Sequence, residues 1–167
     1  MRQVHPVFEA LRTSVDACTC ASMRKATRIT AQLYDRLLEP SGLTTAQFSL
    51  LAALYYADAV PMTRLAEKLV LDRSTLTRTL APLEREGLVE VRPGADRRVR
   101  VVAISVRGLE RLIGALPYWQ EAQERLQSNL GDTEWAALRR SLQFVTSASR
   151  KSVAELPSSR SAHFQEG

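Results

Sequence analysis

Ser74, Thr75, Thr77 and Arg78 place three hydroxyls and a guanidinium just after Asp72. Aspartate is a good N-cap because its carboxylate accepts an amide of the first helical turn, and glycine is a natural C-terminal stop. Asp72 therefore opens a helix that Gly87 closes. Inside that span Leu76, Leu80, Leu83 and Gly87 recur at helical spacing and define one buried face. At about 100° per residue, Ser74, Arg78 and Arg85 lie nearly opposite, with Thr75 and Thr77 on the flanks. Short hydroxyls and an arginine near a helix N-terminus can bond base edges or phosphates without filling a major groove, and the helix dipole favours the anion. An ordinary amphipathic surface helix has the same pattern, so the neighbouring elements decide between the two.

Those neighbours are informative. Leu88–Arg92 and Val99–Ile104 read as short, β-branched, basic strands around the loop Pro93-Gly94-Ala95-Asp96-Arg97-Arg98. Before the helix, Pro61-Met62-Thr63 opens a short helix with Leu65, Ala66 and Leu69 inward, and Val70-Leu71 is a tight connection. Thr63 either caps that helix, stays exposed or touches phosphate. A helix pair followed at once by a basic hairpin outlines a winged helix-turn-helix, although the turn lacks the glycine often found there.

Further out, residues from about Val7 to Leu38 read as one long helix, stopped by Pro40-Ser41-Gly42. Thr44 or Thr45 starts the next, whose run Phe48–Tyr56 is apolar nearly all round and belongs in the middle of a domain. The chain turns around Asp58–Val60. After the hairpin, Ser105 caps a helix to about Asn129, with Gly114 and Pro117 implying a kink. Gly131 breaks it, and Asp132 caps a last helix striped by Trp135, Leu138, Leu142 and Val145. The expected fold class is mainly α with a small β-hairpin wing. It forms one domain over residues 1–155, with a winged helix-turn-helix lobe (44–104), a helical dimerisation lobe (7–40 and 105–153) and a disordered tail (156–167). The terminal helices carry more apolar stripe than the central lobe can cover, which invites a second copy; the alternative is a monomer whose terminal helices fold back. A two-fold pair would hold its recognition helices about 34 Å apart, matching a palindromic site on double-stranded DNA.

Bulk composition agrees without deciding. The 167 residues carry a net charge of +5, and Arg73–Arg100 hold seven arginines against Glu84, Glu86, Glu90 and Asp96. Arginine suits bidentate contact to phosphate or guanine. The N-terminus lacks an apolar signal core and no run is long enough to span a bilayer, so a cytosolic protein without a membrane role is expected. Cys18 and Cys20 are too close for a normal structural disulfide and too few for structural zinc, and His5 and His163 lie near opposite ends. With no P-loop, dinucleotide glycine signature or nucleophile elbow, neither catalysis, cofactor nor metal is expected.

Taken in order, Leu71–Arg78, then Leu83-Glu84-Arg85-Glu86-Gly87-Leu88-Val89, then Asp96-Arg97-Arg98 resemble the MarR family of bacterial transcriptional regulators. The segment with Tyr34-Asp35, Gly42-Leu43-Thr44, Gln47 and Leu50 is similar to that family's first two helices, and the likeness covers roughly residues 10–150. The resemblance implies a homodimeric winged-helix regulator, usually a repressor, released by a small molecule. By position, Ser74, Thr75, Thr77 and Arg78 match its major-groove contacts, Arg98 the wing-tip arginine of the minor groove, and Asp96 the acid holding that arginine. A narrow minor groove concentrates negative potential and draws in a guanidinium. Thr63, Arg73, Arg97 and Arg100 complete the expected DNA-binding set. Pro82 departs from an uninterrupted recognition helix but lies past its first turns.

The same resemblance implies a cavity for a small aromatic or phenolic acid. Arg24 would pair with its carboxylate, and Tyr34, Phe48 or Trp119 would supply walls; core or surface roles are the plain alternative for each. Cys20 precedes Tyr34 and Gln47 at a spacing similar to the sensing cysteine of the family's organic-hydroperoxide regulators. Those regulators carry a tyrosine four residues later, where Arg24 stands here. A thiol-based redox sensor using Cys20 is therefore the first rival reading. A protein-interaction module that does not read DNA is the second, and a thiol-dependent enzyme the third.

Overall fold

A computed structural model of the protein describes residues 17–57 and 59–156. Its helices are α1 (Thr19–Leu38), α2 (Thr45–Tyr55), α3 (Met62–Leu69), α4 (Arg73–Arg85), α5 (Val106–Leu130) and α6 (Asp132–Glu155). The strands are β1 (Val60–Pro61), β2 (Val89–Pro93) and β3 (Arg100–Ile104), in one antiparallel sheet of order β1-β3-β2. The chain divides into two compact units, Met1–Ala122 and Gln123–Gly167.

In the first unit, α1 ends in a 3₁₀ turn at Glu39–Ser41 and Gly42 reverses the chain at φ +71°. Thr44 caps α2 through a capping box: its Oγ1 accepts the Gln47 amide (3.3 Å) while Gln47 Oε1 accepts the Thr44 amide (2.8 Å). Asp35 Oδ1 accepts both the amide and the hydroxyl of Thr45, each at 2.7 Å, and so ties α1 to α2. Leu38, Leu50, Leu51, Leu54, Leu65, Leu76, Leu83, Leu88 and Val102 are fully buried, so α1, α2, α3, α4 and the sheet share one core. Each such side chain contributes about 1.5–3 kcal/mol of burial, against which the polar face of α4 costs nothing by staying in water. Arg111 on α5 donates to the Ser41 carbonyl (3.2 Å) and lies 3.7 Å from Glu86, joining the turn after α1 to the end of α4.

Several expectations need correction. The long first helix begins at Thr19, not near Val7: Cys18 is extended, as the weak helix formers Cys18, Thr19 and Cys20 allow. Residues 7–16, His5, His163, Asp58 and the tail beyond Leu156 lie outside the described residues. β1 was not foreseen, because two residues ending in a proline carry no strand period, yet Val60 pairs with Val102 and Pro61 with Val101. α2 is not buried to its end; Tyr55 and Tyr56 are exposed and meet edge to face at 5.2 Å. Gly87 is an exposed left-handed stop (φ +69°) and not part of the buried stripe. The amides of Gly87 and Leu88 bond the Glu84 and Leu83 carbonyls (3.0 and 2.8 Å), which completes a Schellman motif. α5 contains Gly114 and Pro117 and ends at Leu130, one residue past the expected Asn129. In the second unit Gly131 is the N-cap of α6, and Asp132 accepts a bond from Gln127 (2.8 Å) instead of capping.

Candidate nucleic-acid interface

α3 and α4 are joined by a turn in which Val70 takes the left-handed conformation (φ +54°, ψ +44°) that glycine usually supplies. Its amide bonds the Glu67 carbonyl at 3.2 Å and the Leu71 amide bonds Ala66 at 2.9 Å, so the last carbonyls of α3 are satisfied. The chain then extends at Asp72 (φ −70°, ψ 157°), the N-cap of α4.

Asp72 organises the first turn. Its Oδ1 accepts the Thr75 amide (2.8 Å) and the Ser74 hydroxyl (2.5 Å), and its Oδ2 accepts the Thr75 hydroxyl (2.7 Å). The side-chain bonds from Ser74 and Thr75 hold its carboxyl far below the usual carboxylate range, followed by the Thr75 amide bond. Thr77 donates its hydroxyl to the Arg73 carbonyl (2.8 Å), and Arg78 donates through Nη2 to Thr75 Oγ1 (3.2 Å). Leu76, Leu80 and Leu83 are buried on the inner face, while Arg73, Ser74, Thr77 and Arg78 are exposed and Thr75 half-buried. Pro82 sits inside α4, which stays helical to Arg85.

The hairpin pairs Val89 with Ile104 through Pro93 with Arg100. Its tip is closed by the Gly94 amide on the Val99 carbonyl (2.7 Å) and the Val99 amide on the Asp96 carbonyl (2.9 Å). Asp96 Oδ1 accepts the backbone amide of Arg98 (2.9 Å); its hold on that residue is through the main chain. Arg97, Arg98 and Arg100 are exposed. Between α3, the start of α4 and the hairpin lies a groove of about 390 Å³ lined by Thr63, Arg73, Arg98 and Arg100, with Glu67 as the acid beside them. Four residues singled out from three separate stretches thus meet on one surface. Thr63 is exposed in the first turn of α3, whose N-cap is Pro61.

The other candidates are dispersed along α1, α2 and α5. Cys18 and Cys20 are both exposed free thiols, at the N-cap and in the first turn of α1. Arg24 is exposed on the same helix and its carbonyl accepts Arg28 Nε at 3.3 Å. Tyr34 is buried, which pushes its phenol up, and Phe48 is buried with its ring stacked on Trp119 at 5.6 Å. Among the described residues no helix is long and apolar enough to cross a membrane, and no three metal-binding side chains gather.

Two residues of the site stand outside the set expected from sequence: Asp72, which organises the first turn of α4, and Glu67, the acid of the groove. An aspartate followed at two and three positions by hydroxyl residues was the available signal for the first.

A family model described as the MarR family matches residues 43–99, the stretch that contains α2 through the hairpin tip. The transcriptional regulator MOSR of M. tuberculosis, solved in complex with DNA, is 37% identical with a TM-score of 0.75, over 83% of this chain and 99% of that one. The chain belongs to the MarR family. A mutant MarR from E. coli complexed with operator DNA is 25% identical with a TM-score of 0.71, over 79% of this MarR-family chain and 96% of that one. The transcriptional activatory protein BadR of Rhodopseudomonas palustris is 33% identical over 111 residues, covering 58% of this chain and 63% of BadR. The chain spans about three-fifths of the length of the curated relatives it matches. Its mainly helical body and small sheet are those of the family's winged helix.

Proposed function

We propose that this MarR-family chain is a homodimeric, sequence-specific double-stranded-DNA regulator that represses from a palindromic operator and is released by a small molecule. The observation carrying this reading is the groove that gathers Thr63, Arg73, Arg98 and Arg100 beside the hydroxyl-and-arginine face of α4. In the proposal, Ser74, Thr75, Thr77 and Arg78 enter a major groove and Arg98 the adjacent minor groove. Asp96 fixes the wing tip, while Thr63, Arg73, Arg97 and Arg100 hold phosphates. Dimerisation is supported by α6, which buries no residue and leaves Leu138, Leu142, Phe144 and Val153 exposed. The relatives solved with DNA are consistent with the reading.

Selection of bound fragments from genomic DNA, followed by affinity measurements over a salt series, tests it. A palindrome and a steep salt dependence are expected. Arg98→Ala weakens binding chiefly at minor-groove positions, and Arg78→Ala relaxes major-groove specificity by about 1–3 kcal/mol if its contact is bidentate. Weak salt dependence without palindrome preference would favour an interaction module instead. A reporter read with and without the protein separates repression from the activation that the name of BadR describes for that relative.

For the effector, the proposal is an aromatic acid paired with Arg24 and walled by Tyr34, Phe48 or Trp119; of these, Phe48 and Trp119 meet, stacked at 5.6 Å. A second reading, release by oxidation of Cys20, is favoured by the exposure of that thiol in the first turn of α1. Cys20→Ser then keeps DNA binding and abolishes release by peroxide.

A further inference from the structure

The hydroxyls on the outward side of α4 all have their protons committed. A carboxylate or a carbonyl can only accept, so the hydroxyl in each such pair must be the donor. Ser74 Oγ gives its proton to Asp72 Oδ1 (2.5 Å), Thr75 Oγ1 to Asp72 Oδ2 (2.7 Å) and Thr77 Oγ1 to the Arg73 carbonyl (2.8 Å). A hydroxyl has one proton and two lone pairs, so what these oxygens present outward is acceptor capacity alone. Thr75 has already spent part of its own on Arg78 Nη2 (3.2 Å). The strongly ionised state of Asp72 keeps its carboxylate an acceptor throughout.

We propose that Asp72 is a specificity-setting residue: it takes the protons of the Ser74 and Thr75 hydroxyls, as the Arg73 carbonyl takes that of Thr77, so that these oxygens read donors, the exocyclic amines of adenine or cytosine. This rests on the DNA-reading role proposed above and adds its chemical sense. In the major groove adenine N6 and cytosine N4 donate, whereas purine N7, guanine O6 and thymine O4 accept. A hydroxyl turned toward an acceptor, or toward a phosphate oxygen, would first have to leave Asp72 or the Arg73 carbonyl. Acceptors on the bases therefore fall to Arg78, which keeps further N–H groups beyond the one given to Thr75, and phosphates to the neighbouring arginines. The pairing makes a compact code: acceptor oxygens with one forked donor beside them.

The test uses the full chain and the tightest duplex recovered from a randomised-duplex selection. Each adenine is replaced by purine and each cytosine by 2-pyrimidinone, which delete the amine; separately, 7-deaza purines delete N7. Within each half-site, at least one amine deletion should weaken binding roughly fivefold, the value of one net hydrogen bond. That sensitivity should vanish in Ser74→Ala or Thr77→Ala, while sensitivity to N7 deletion should track Arg78→Ala. Asp72→Asn retains a capping oxygen, but its amide nitrogen donates to a hydroxyl and frees that proton. With this variant, amine sensitivity should fall and N7 sensitivity appear at the same pair. The proposal is overturned if amine deletions leave affinity within twofold, or if the losses persist unchanged in both Ser74→Ala and Thr77→Ala. Failure of the wild-type chain to retain any duplex in a salt-sensitive way would instead sink the DNA-reading role on which it stands.

Discussion

Replacing Gly108 by alanine adds one methyl carbon where the backbone of another element already sits. A Cβ at this position would lie 1.9 Å from the Leu88 carbonyl oxygen, 2.9 Å from its carbon and 3.0 Å from Ile104 Cγ1. Reaching even a 3.0 Å separation from the oxygen requires a shift of 1.1 Å (3.0 − 1.9). The obstacle is main chain, not the end of a flexible side chain, and it is anchored: Leu88 O accepts the Ser105 amide at 3.1 Å and its side chain is fully buried. Ser105 Oγ meanwhile donates to the Gly87 carbonyl (2.7 Å) and accepts the Gly108 amide (2.9 Å), so the start of α5 is clamped to the exit of α4.

Overpacking of this kind costs about 1–3 kcal/mol. Breaking the Ser105–Leu88 bond adds about 1 kcal/mol. Alanine returns about 0.5–1 kcal/mol because glycine is the poorer helix former. The net expectation for Gly108→Ala is a loss of about 1–3 kcal/mol, read as a lower urea midpoint at fixed protein concentration with an unchanged slope. Gly114 in the same helix is the control, since a Cβ there meets nothing within 4 Å. Gly114→Ala should raise stability by about 0.5–1 kcal/mol, read as a higher midpoint. Two identical substitutions in one helix therefore carry opposite signs. If both stabilise, or if Gly108→Ala matches the wild type, the close approach of α5 to Leu88 is not as described.

Val70 is 65% exposed and holds a positive φ that a β-branched residue tolerates poorly. Val70→Asn, or Val70→Gly with its smaller net gain, should raise stability by up to about 1 kcal/mol in the same urea assay. Asp72 has a depressed folded pKa, so its ionised contribution is present above the unfolded carboxylate pKa of about 3.9 and is lost as pH falls through the lower folded value. The thermal-midpoint advantage of the wild type over Asp72→Asn should therefore hold from neutral pH to about pH 4 and shrink only below it.

What the sequence made legible was periodic or local. Leu76, Leu80 and Leu83 announce a buried stripe because helical spacing repeats. Asp72 and Gly87 announce helix ends because each satisfies backbone groups within a few residues of itself. The hairpin was legible for the same reason, its strands falling within a residue of those expected. The start of α1 was not, since an apolar period ran on through the poor helix formers around Cys18. β1 depends on a partner some forty residues away and carries no period of its own. Gly108 reads as a defect in a helix until Leu88, distant in sequence, is seen beneath it. Of the candidate site, residue types and the exposed face could be anticipated, as could the groups meeting across a turn. The convergence of Thr63 with Arg98 and Arg100, and the direction of each hydroxyl proton, come from three-dimensional contact.

The supports of α4 are of two kinds, and they should fail differently. Val70 and the Ser105 clamp fix how the helix leaves its neighbours, through backbone bonds to α3, Gly87 and α5. Asp72 acts within the helix's own first turn, on Ser74 and Thr75. A site gains accuracy when its side chains are locked by a rigid element rather than by a loop. Relaxing Val70 or crowding Gly108 therefore perturbs how well α4 is held while leaving the hydroxyl polarity of its first turn intact. Altering Asp72 perturbs that polarity while leaving the helix seated on Leu76, Leu80 and Leu83. Val70 and Gly108 variants should therefore change stability alone, whereas Asp72→Asn should change both stability and the proposed base preference.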